Sequence, residues 1–248
     1  MAEIVRRDQK LQPFKDAAQE HWAQLKALLP PDMSPQRFVA VALMSVQNNP
    51  ALAECNAQSF GLAILQAAAL GLEVGSEAYL VPYKGKVQCQ PGYMGMAKLA
   101  MNTNMVTAIW ANVVREGDEF EEVLGAQPTL RHIRKSSLGA PFVAAYACSR
   151  NVRGEVTWTV LYKDQIEQRR KVSAAVRAGK STPWDEWYEE MAMGKAIKAH
   201  TKTLPKSSTF RAAIMLHDAV DTGKTVPIEA ILPEMTLPQL EATNGDAA

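Results

Sequence analysis

GLEVGSEAYLVPYKGKVQCQPGYMGMAKLA, residues 71–100, is the stretch whose reading decides the fold. Gly71 is a natural helix stop. Ala78–Pro82 and Lys86–Gln90 read as two short strands around Tyr83-Lys84-Gly85, a hairpin signature. Pro91-Gly92 then breaks the second strand, and Tyr93–Met101 suits a new helix. Lys84 and Lys86 stand at or beside the hairpin tip, Gln88 and Gln90 share one strand face, and Tyr93 lies between Gly92 and Gly95. Tip lysines also serve as edge-protecting charges that bind nothing, and a tyrosine so placed suits core packing as well as stacking. The stretch carries no catalytic dyad and no metal-ligand cluster. Its lysines, amides and aromatics suit a phosphate backbone and stacked bases better than bond cleavage.

Upstream, Phe14, Ala18, Trp22, Leu25 and Leu29 form one helical stripe over residues 13–29, ended by Pro30-Pro31. Ser34-Pro35 starts a second helix that stops near Asn48-Asn49-Pro50, and Asn56 caps a third. Downstream, Val106–Val114, Phe120–Leu124, Thr129–Ile133, Phe142–Ser149 and Val156–Leu161 are strand candidates. Helices return at Lys163–Ala178, Trp184–Thr203 and Phe210–Asp221. Helices, then strands, then helices imply an α+β fold, with a central, mostly antiparallel sheet and a long basic C-terminal helix. The expected organisation is an N-terminal helix over 1–33, available for subunit contact or internal core, a core over 34–224, and an acidic flexible tail over 225–248.

A chain of 248 residues buries a sizeable core without staples. Cys55, Cys89 and Cys148 are widely spaced, with no CxxC pair, so neither a disulfide framework nor a zinc site is expected, and a reducing cytoplasm fits. The N-terminus lacks the apolar run of a signal peptide, and no stretch approaches the ~18 apolar residues of a membrane span. The net charge of +1 conceals an asymmetry: residues 163–211 hold eleven Lys/Arg against six Asp/Glu, whereas 212–248 hold one Lys against six acids. Such runs are often only solvated faces; the sharper reading is a basic binding helix followed by an acidic tail.

That basic region has internal order. Trp184, Trp187 and Tyr188 open a helix on which Lys195, Lys198 and Lys202 recur at helical spacing, with Lys206 and Arg211 beyond. Seven residues at ~1.5 Å each span roughly 10 Å, the reach of one to two phosphates. Arg169, Arg170 and Lys171 form another cluster, with Arg177 and Lys180 after it. Gly179-Lys180-Ser181-Thr182 and Gly223-Lys224-Thr225 mimic the end of a P-loop, but Ala174 and Asp218 stand where the first glycine is needed, so no ATP site is expected. His21, His132, His200 and His217 show no ligand spacing; His200, on the basic helix, is read as a surface or groove residue. The acidic run Glu116, Asp118, Glu119, Glu121, Glu122 is the one dense carboxylate group, which keeps a metal-dependent DNA-processing enzyme as the rival reading, although a solvated turn suits it better.

An ordered set of these segments resembles the RecT family of phage and prophage single-strand annealing proteins. It comprises Gly71–Glu73, Ala78–Ala100, VVREGDEFE (Val113–Glu121), DQIEQRR (Asp164–Arg170), Pro183-Trp184 and EMAMGKAIKAHTKTLPKS (Glu190–Ser207). The resemblance implies binding of single-stranded DNA, annealing through a duplex intermediate without ATP or bond chemistry, and assembly into rings or helical filaments. It also implies work beside a phage 5′→3′ exonuclease and a host single-strand-binding protein, in the bacterial cytoplasm. No metal is required, and stimulation by magnesium is compatible with it. The DNA-contacting set expected is Lys84, Lys86, Gln90, Tyr93, Arg115, Arg170, Lys180, Trp184, Lys195, Lys198, Lys202 and Lys206. Two departures stand out: Met94 occupies a position usually lysine in the family's GYKG motif, and Met193-Gly194-Lys195 replaces a more basic run. A passive single-strand-binding protein is the remaining alternative.

Overall fold

The computed structural model describes residues 2–222 apart from 178 and 180, together with 226, 227 and 231. The chain divides into two units, one running to Gln90 and taking in the described residues from Met215 onward, the other Pro91–Ile214. The expected boundaries after residues 33 and 224 do not coincide with these. Of the tail expected at 225–248, Val226, Pro227 and Ile231 alone are described. The Val226 carbonyl accepts a hydrogen bond from Gln66 Nε2 at 3.0 Å, and Ile231 is buried.

The first unit holds α1 (Ala2–Glu20), α2 (Trp22–Leu28), α3 (Pro35–Asn48), α4 (Pro50–Ala53), α5 (Ala57–Ala69) and the hairpin β1 (Ala78–Tyr83) and β2 (Lys86–Pro91). The single helix expected at 13–29 is two, because the backbone leaves helical geometry at His21 (φ −96°, ψ 9°). The anticipated caps form: Ser34 Oγ accepts from the Arg37 N–H, and Asn56 Oδ1 from the Ser59 N–H at 3.1 Å. Phe14, Leu25, Phe38, Phe60 and Ile64 are buried, with Phe14 edge-on to Phe60 at 5.4 Å. At the hairpin tip Lys84 and Gly85 both have positive φ (47° and 73°), as a two-residue type I′ turn demands. The Gly85 carbonyl accepts from the Asn56 N–H at 2.9 Å and Ser59 Oγ accepts from the Val87 N–H at 2.8 Å, so the start of α5 anchors the tip.

The second unit contains α6 (Tyr93–Met101), β3 (Val106–Arg115), β4 (Glu119–Val123), β5 (Thr129–Ile133), β6 (Phe142–Asn151), β7 (Val156–Tyr162), α7 (Lys163–Lys171), α8 (Ala174–Arg177), α9 (Pro183–Glu186) and α10 (Tyr188–Thr201); α11 (Ser208–Thr222) carries the chain back into the first. Instead of one central sheet, the described residues form three: β1-β2, β3-β6-β7 and β4-β5, the last two antiparallel. In the three-stranded sheet, alternation sends side chains to two faces in cross-strand rows. Val113–Ala145–Leu161 and Ala111–Ala147–Thr159 form one face. This face packs against Ile166 of α7, Trp184 of α9 and Ala192, Ala196 and Ile197 of α10. Val114, Ala144, Tyr146 and Cys148 form the other, covered by Phe120 and Leu130 of the β4-β5 hairpin. The alanines of β6 and α10 bring the helix close to the sheet.

Two further expected helices are broken. The segment 163–178 divides into α7 and α8, and the long basic helix expected from Trp184 to Thr203 is interrupted at Trp187 (φ −124°, ψ 47°). Among the described residues, no helix is long and apolar enough to cross a membrane. The three cysteines are buried and unpaired.

His200 is not a surface residue. It is fully buried beneath α10, with Nε2 2.9 Å from Ser149 Oγ of β6 and Nδ1 3.1 Å from Thr159 Oγ1 of β7. Burial pushes its pKa down to about 4, so the ring is neutral at pH 7. Between about 6.5 and 4 the unfolded chain takes up a proton that the folded one refuses, so folding stability is retained above pH 6.5 and falls as the pH drops toward 4. At ~1.4 kcal/mol per pH unit the loss is at most about 3.5 kcal/mol. Urea unfolding followed by tryptophan fluorescence across this range will show that decline, and a His200→Gln variant, weaker at pH 7, will show a flatter one.

Candidate nucleic-acid interface

The lysines of α10 fall on the side the core leaves over. At ~100° per residue, Ala192, Ala196 and His200 point to the sheet, Gly194 lies roughly 160° round from Ala196, and Lys195, Lys198 and Lys202 cluster in the arc between Gly194 and Ala192. Lys202 is exposed, and Lys195 and Lys198 are half-buried. Gly194 is the point where α6 meets α10. A Cβ built there would stand 3.0 Å from Cδ1 of Tyr93, 3.4 Å from Cε1 and 3.5 Å from Cγ. The space beside this glycine, inside the unbroken α10, is therefore filled by the protein's own Tyr93 ring. Tyr93 nonetheless remains 40% exposed, and Met94 beside it 55%. Lys206 is exposed, its Nζ donating to the Leu204 carbonyl at 3.2 Å.

Three expected contacts are engaged elsewhere. Arg115, its side chain 10% exposed, donates from Nε to Glu189 Oε1 at 2.9 Å and from Nη2 to the second carboxylate oxygen, so its charge is spent inside the unit. Trp184 is 4% exposed and packs edge-on to Tyr188 at 5.6 Å, which removes it as a stacking platform. Arg170 lies between two carboxylates, with Nη2 3.1 Å from Asp185 and Nη1 3.6 Å from Glu167. Asp185 in turn accepts the Thr182 N–H at 2.8 Å, and that bond, with Arg170, holds its pKa below the usual carboxylate range.

Sequence reasoning passed over Trp187. The helix break puts its indole 58% exposed, while Trp184 and Tyr188 on either side turn inward. Only a broken helix makes this distinction, and no residue type between Trp184 and Tyr188 announces the break.

Lys84, Lys86 and Gln90 belong to the first unit, whereas Tyr93 and α10 belong to the second. Lys84 and Lys86 are exposed, with Lys84 Nζ 5.3 Å above the Tyr83 ring. Gln90 is half-buried, and Gln88, expected on the same open face, is buried. Lys86 borders a cavity of about 470 Å³ within this unit, lined also by Asn56, Ser59 and Gln66. Lys180 lies outside the described residues.

The acidic run has a structural use. Asp118 is buried and accepts the N–H groups of Arg115, Lys135 and Ser136, each at 2.9 Å, while His132 Nε2 lies 3.1 Å away. The Arg115 amide, foremost among these donors, keeps its carboxyl ionised well below the ordinary range. His132 continues the chain to Tyr146 at 3.0 Å. Asp118 thus ties the β3-β4 turn to the segment after β5. Among the described residues, no three His, Cys, Asp or Glu side chains converge to hold a metal.

A helix with one lysine flank beside a partly exposed tyrosine and tryptophan is the arrangement that suits a nucleic-acid-binding class of protein. Comparison with known proteins makes it particular. The sequence model of the RecT family matches residues 36–228. Protein RecT of Escherichia coli (strain K12) is 36% identical over 206 residues, covering 79% of this chain and 76% of that protein. The uncharacterized protein YqaK of Bacillus subtilis (strain 168) is 27% identical over 172 residues, or 66% of this chain and 57% of that one. The chain belongs to the RecT family, and its function is single-strand annealing in recombination.

Trp184→Ala will destabilise the fold by roughly 3–5 kcal/mol, whereas Trp187→Ala will stay within about 0.5 kcal/mol of the parent, both read by urea unfolding. Arg115→Ala, which strands Glu189 in a partly buried site, will cost roughly 1–3 kcal/mol in the same measurement.

Proposed function

We propose that the chain holds single-stranded DNA along the lysine flank of α10 and speeds its pairing with a complementary strand, without nucleotide hydrolysis and without making or breaking a bond. The carrying observation is α10 itself. Its sheet-facing side is filled by Ala192, Ala196 and His200 and its far side at Gly194 by Tyr93, so Lys195, Lys198 and Lys202 share the arc between them. Lysines on one flank neutralise phosphates without gripping base edges, which leaves the bases readable by a second strand. Annealing is then driven by base pairing, with the protein lowering the repulsion between two polyanions. Tyr93 and Trp187 supply aromatic faces for bases, and Lys206 extends the basic path. The exposed tip lysines Lys84 and Lys86 offer further phosphate contacts. Arg115, Trp184 and Arg170 act through the fold that supports α10.

The same reading extends to partners. It has copies of the chain assembling side by side on a strand as a ring or filament, with an exonuclease supplying the single strands and a host single-strand-binding protein yielding them, in the cytoplasm of a bacterial host. Nucleotide is unnecessary, and magnesium assists only by screening.

Mixing the protein with complementary oligonucleotides, free of nucleotide and divalent metal, will accelerate annealing. Retarded pairing would reveal a passive strand binder, and cleavage on adding metal would reveal an enzyme. Lys198→Glu combined with Lys202→Glu will abolish acceleration while preserving the circular-dichroism spectrum. Neutral Gln replacements at both positions will make the log–log salt dependence of binding shallower by ~1.4, at ~0.7 per single-strand phosphate. Unchanged affinity at low salt in the Glu variant would show that this flank is merely solvated.

A further inference from the structure

We propose that Gly194 is a positioning residue for single-strand binding: the side chain it lacks makes a seat on α10 for the Tyr93 ring, holding that ring one helical turn from Lys198 for stacking against bases. The inference rests on the reading that α10 binds single strands, and it assigns Tyr93 its working position.

Glycine inside a helix is unfavourable relative to alanine, so its presence at the middle of α10 asks for a reason. Open space is not that reason. Gly194 is buried, and the atom that would meet a Cβ is Cδ1 of Tyr93 at 3.0 Å, well inside the ~3.5–4.0 Å of a comfortable carbon contact. Tyr93 is the first residue of α6, which fixes its backbone, and α6 packs beside α10. A methyl group at position 194 would therefore be accommodated by displacing the ring. Gly194 and Lys198 are four residues apart, on one side of successive turns. The glycine thus sets the distance between an aromatic face and a phosphate-neutralising charge. Met94, the neighbour of Tyr93, brings no cation, so the ring is the feature of the α6 start that a strand meets.

Alanine and leucine are both strong helix formers, so helix propensity alone raises stability in either Gly194 variant and leaves binding untouched. Displacement of the ring weakens binding progressively with side-chain size. Gly194→Ala and Gly194→Leu are made in the full chain, each with Tyr93 intact and with Tyr93→Ala. Affinity for a fluorescent oligo-dT is measured by anisotropy as a function of salt, beside thermal unfolding. Tyr93→Ala is expected to bind about 10-fold more weakly. Gly194→Ala is expected to lose about 3-fold and Gly194→Leu about 10-fold, with the salt slope of the parent because no phosphate contact changes. In the Tyr93→Ala background neither substitution at Gly194 is expected to alter affinity more than about 2-fold. Parental affinity in both single Gly194 variants overturns the proposal, as does a loss of equal size with Tyr93 absent. If Gly194→Leu does not fold, the cycle of Gly194→Ala with Tyr93→Ala decides alone. Failure of the parent protein to bind oligo-dT removes the single-strand reading itself, whereas binding by the parent with no effect at Gly194 removes only the seat.

Discussion

Everything the second unit offers to a ligand follows from how closely α10 lies on its sheet. Ala145 and Ala147 of β6 face Ala192 and Ala196 of the helix, and this small-on-small layer fixes the helix's rotation about its axis. His200 locks that rotation by reaching Ser149 and Thr159 on two different strands. Turning α10 by one residue would strand the imidazole and drive a lysine into the core, where an uncompensated charge is prohibitively unfavourable. Placement of the lysines is thus a consequence of packing on the opposite side of the helix.

The basic residues divide into two populations that composition does not separate. Arg115 and Arg170 are joined to Glu189, Glu167 and Asp185 and brace the unit from within. The lysines of α10 and those at the β1-β2 tip lie nearer the surface. Arginine's planar fork suits the first task and the compact, hydrated ammonium of lysine the second. The acids Glu189, Glu167 and Asp185 therefore do more than dilute a positive patch: they engage Arg115 and Arg170 within the unit.

Much of the architecture was legible in advance, and for identifiable reasons. β3, β5, β6 and β7 follow from alternation, because each strand is buried on two faces or paired along its length. The starts of α3 and α5 follow from Ser34 and Asn56, whose side chains cap locally. What escaped depended on contacts between distant segments. Trp184 and Trp187 are three residues apart and chemically identical, yet a break at Trp187 buries one and exposes the other. Arg115 reads as a free cation until Glu189 is brought against it from 74 residues away. His200 looked superficial because its lysine neighbours are, and Gly194 gave no sign that its partner was Tyr93. At the candidate site, Tyr93 and the α10 lysines were named from sequence as expected contacts, while the side chains that position them were not.

The short reach of the α10 lysines has a consequence for how binding must scale. Lys195 to Lys202 spans roughly 10 Å along the helix, enough for one or two nucleotides. In the side-by-side assembly proposed above, several copies would engage one strand, each raising the effective concentration of the next. Affinity should then rise in steps with oligonucleotide length, with a threshold below which the strand escapes. Under that assembly the salt exponent on a long strand would be a census: divided by that of one footprint, it would count the copies holding the DNA.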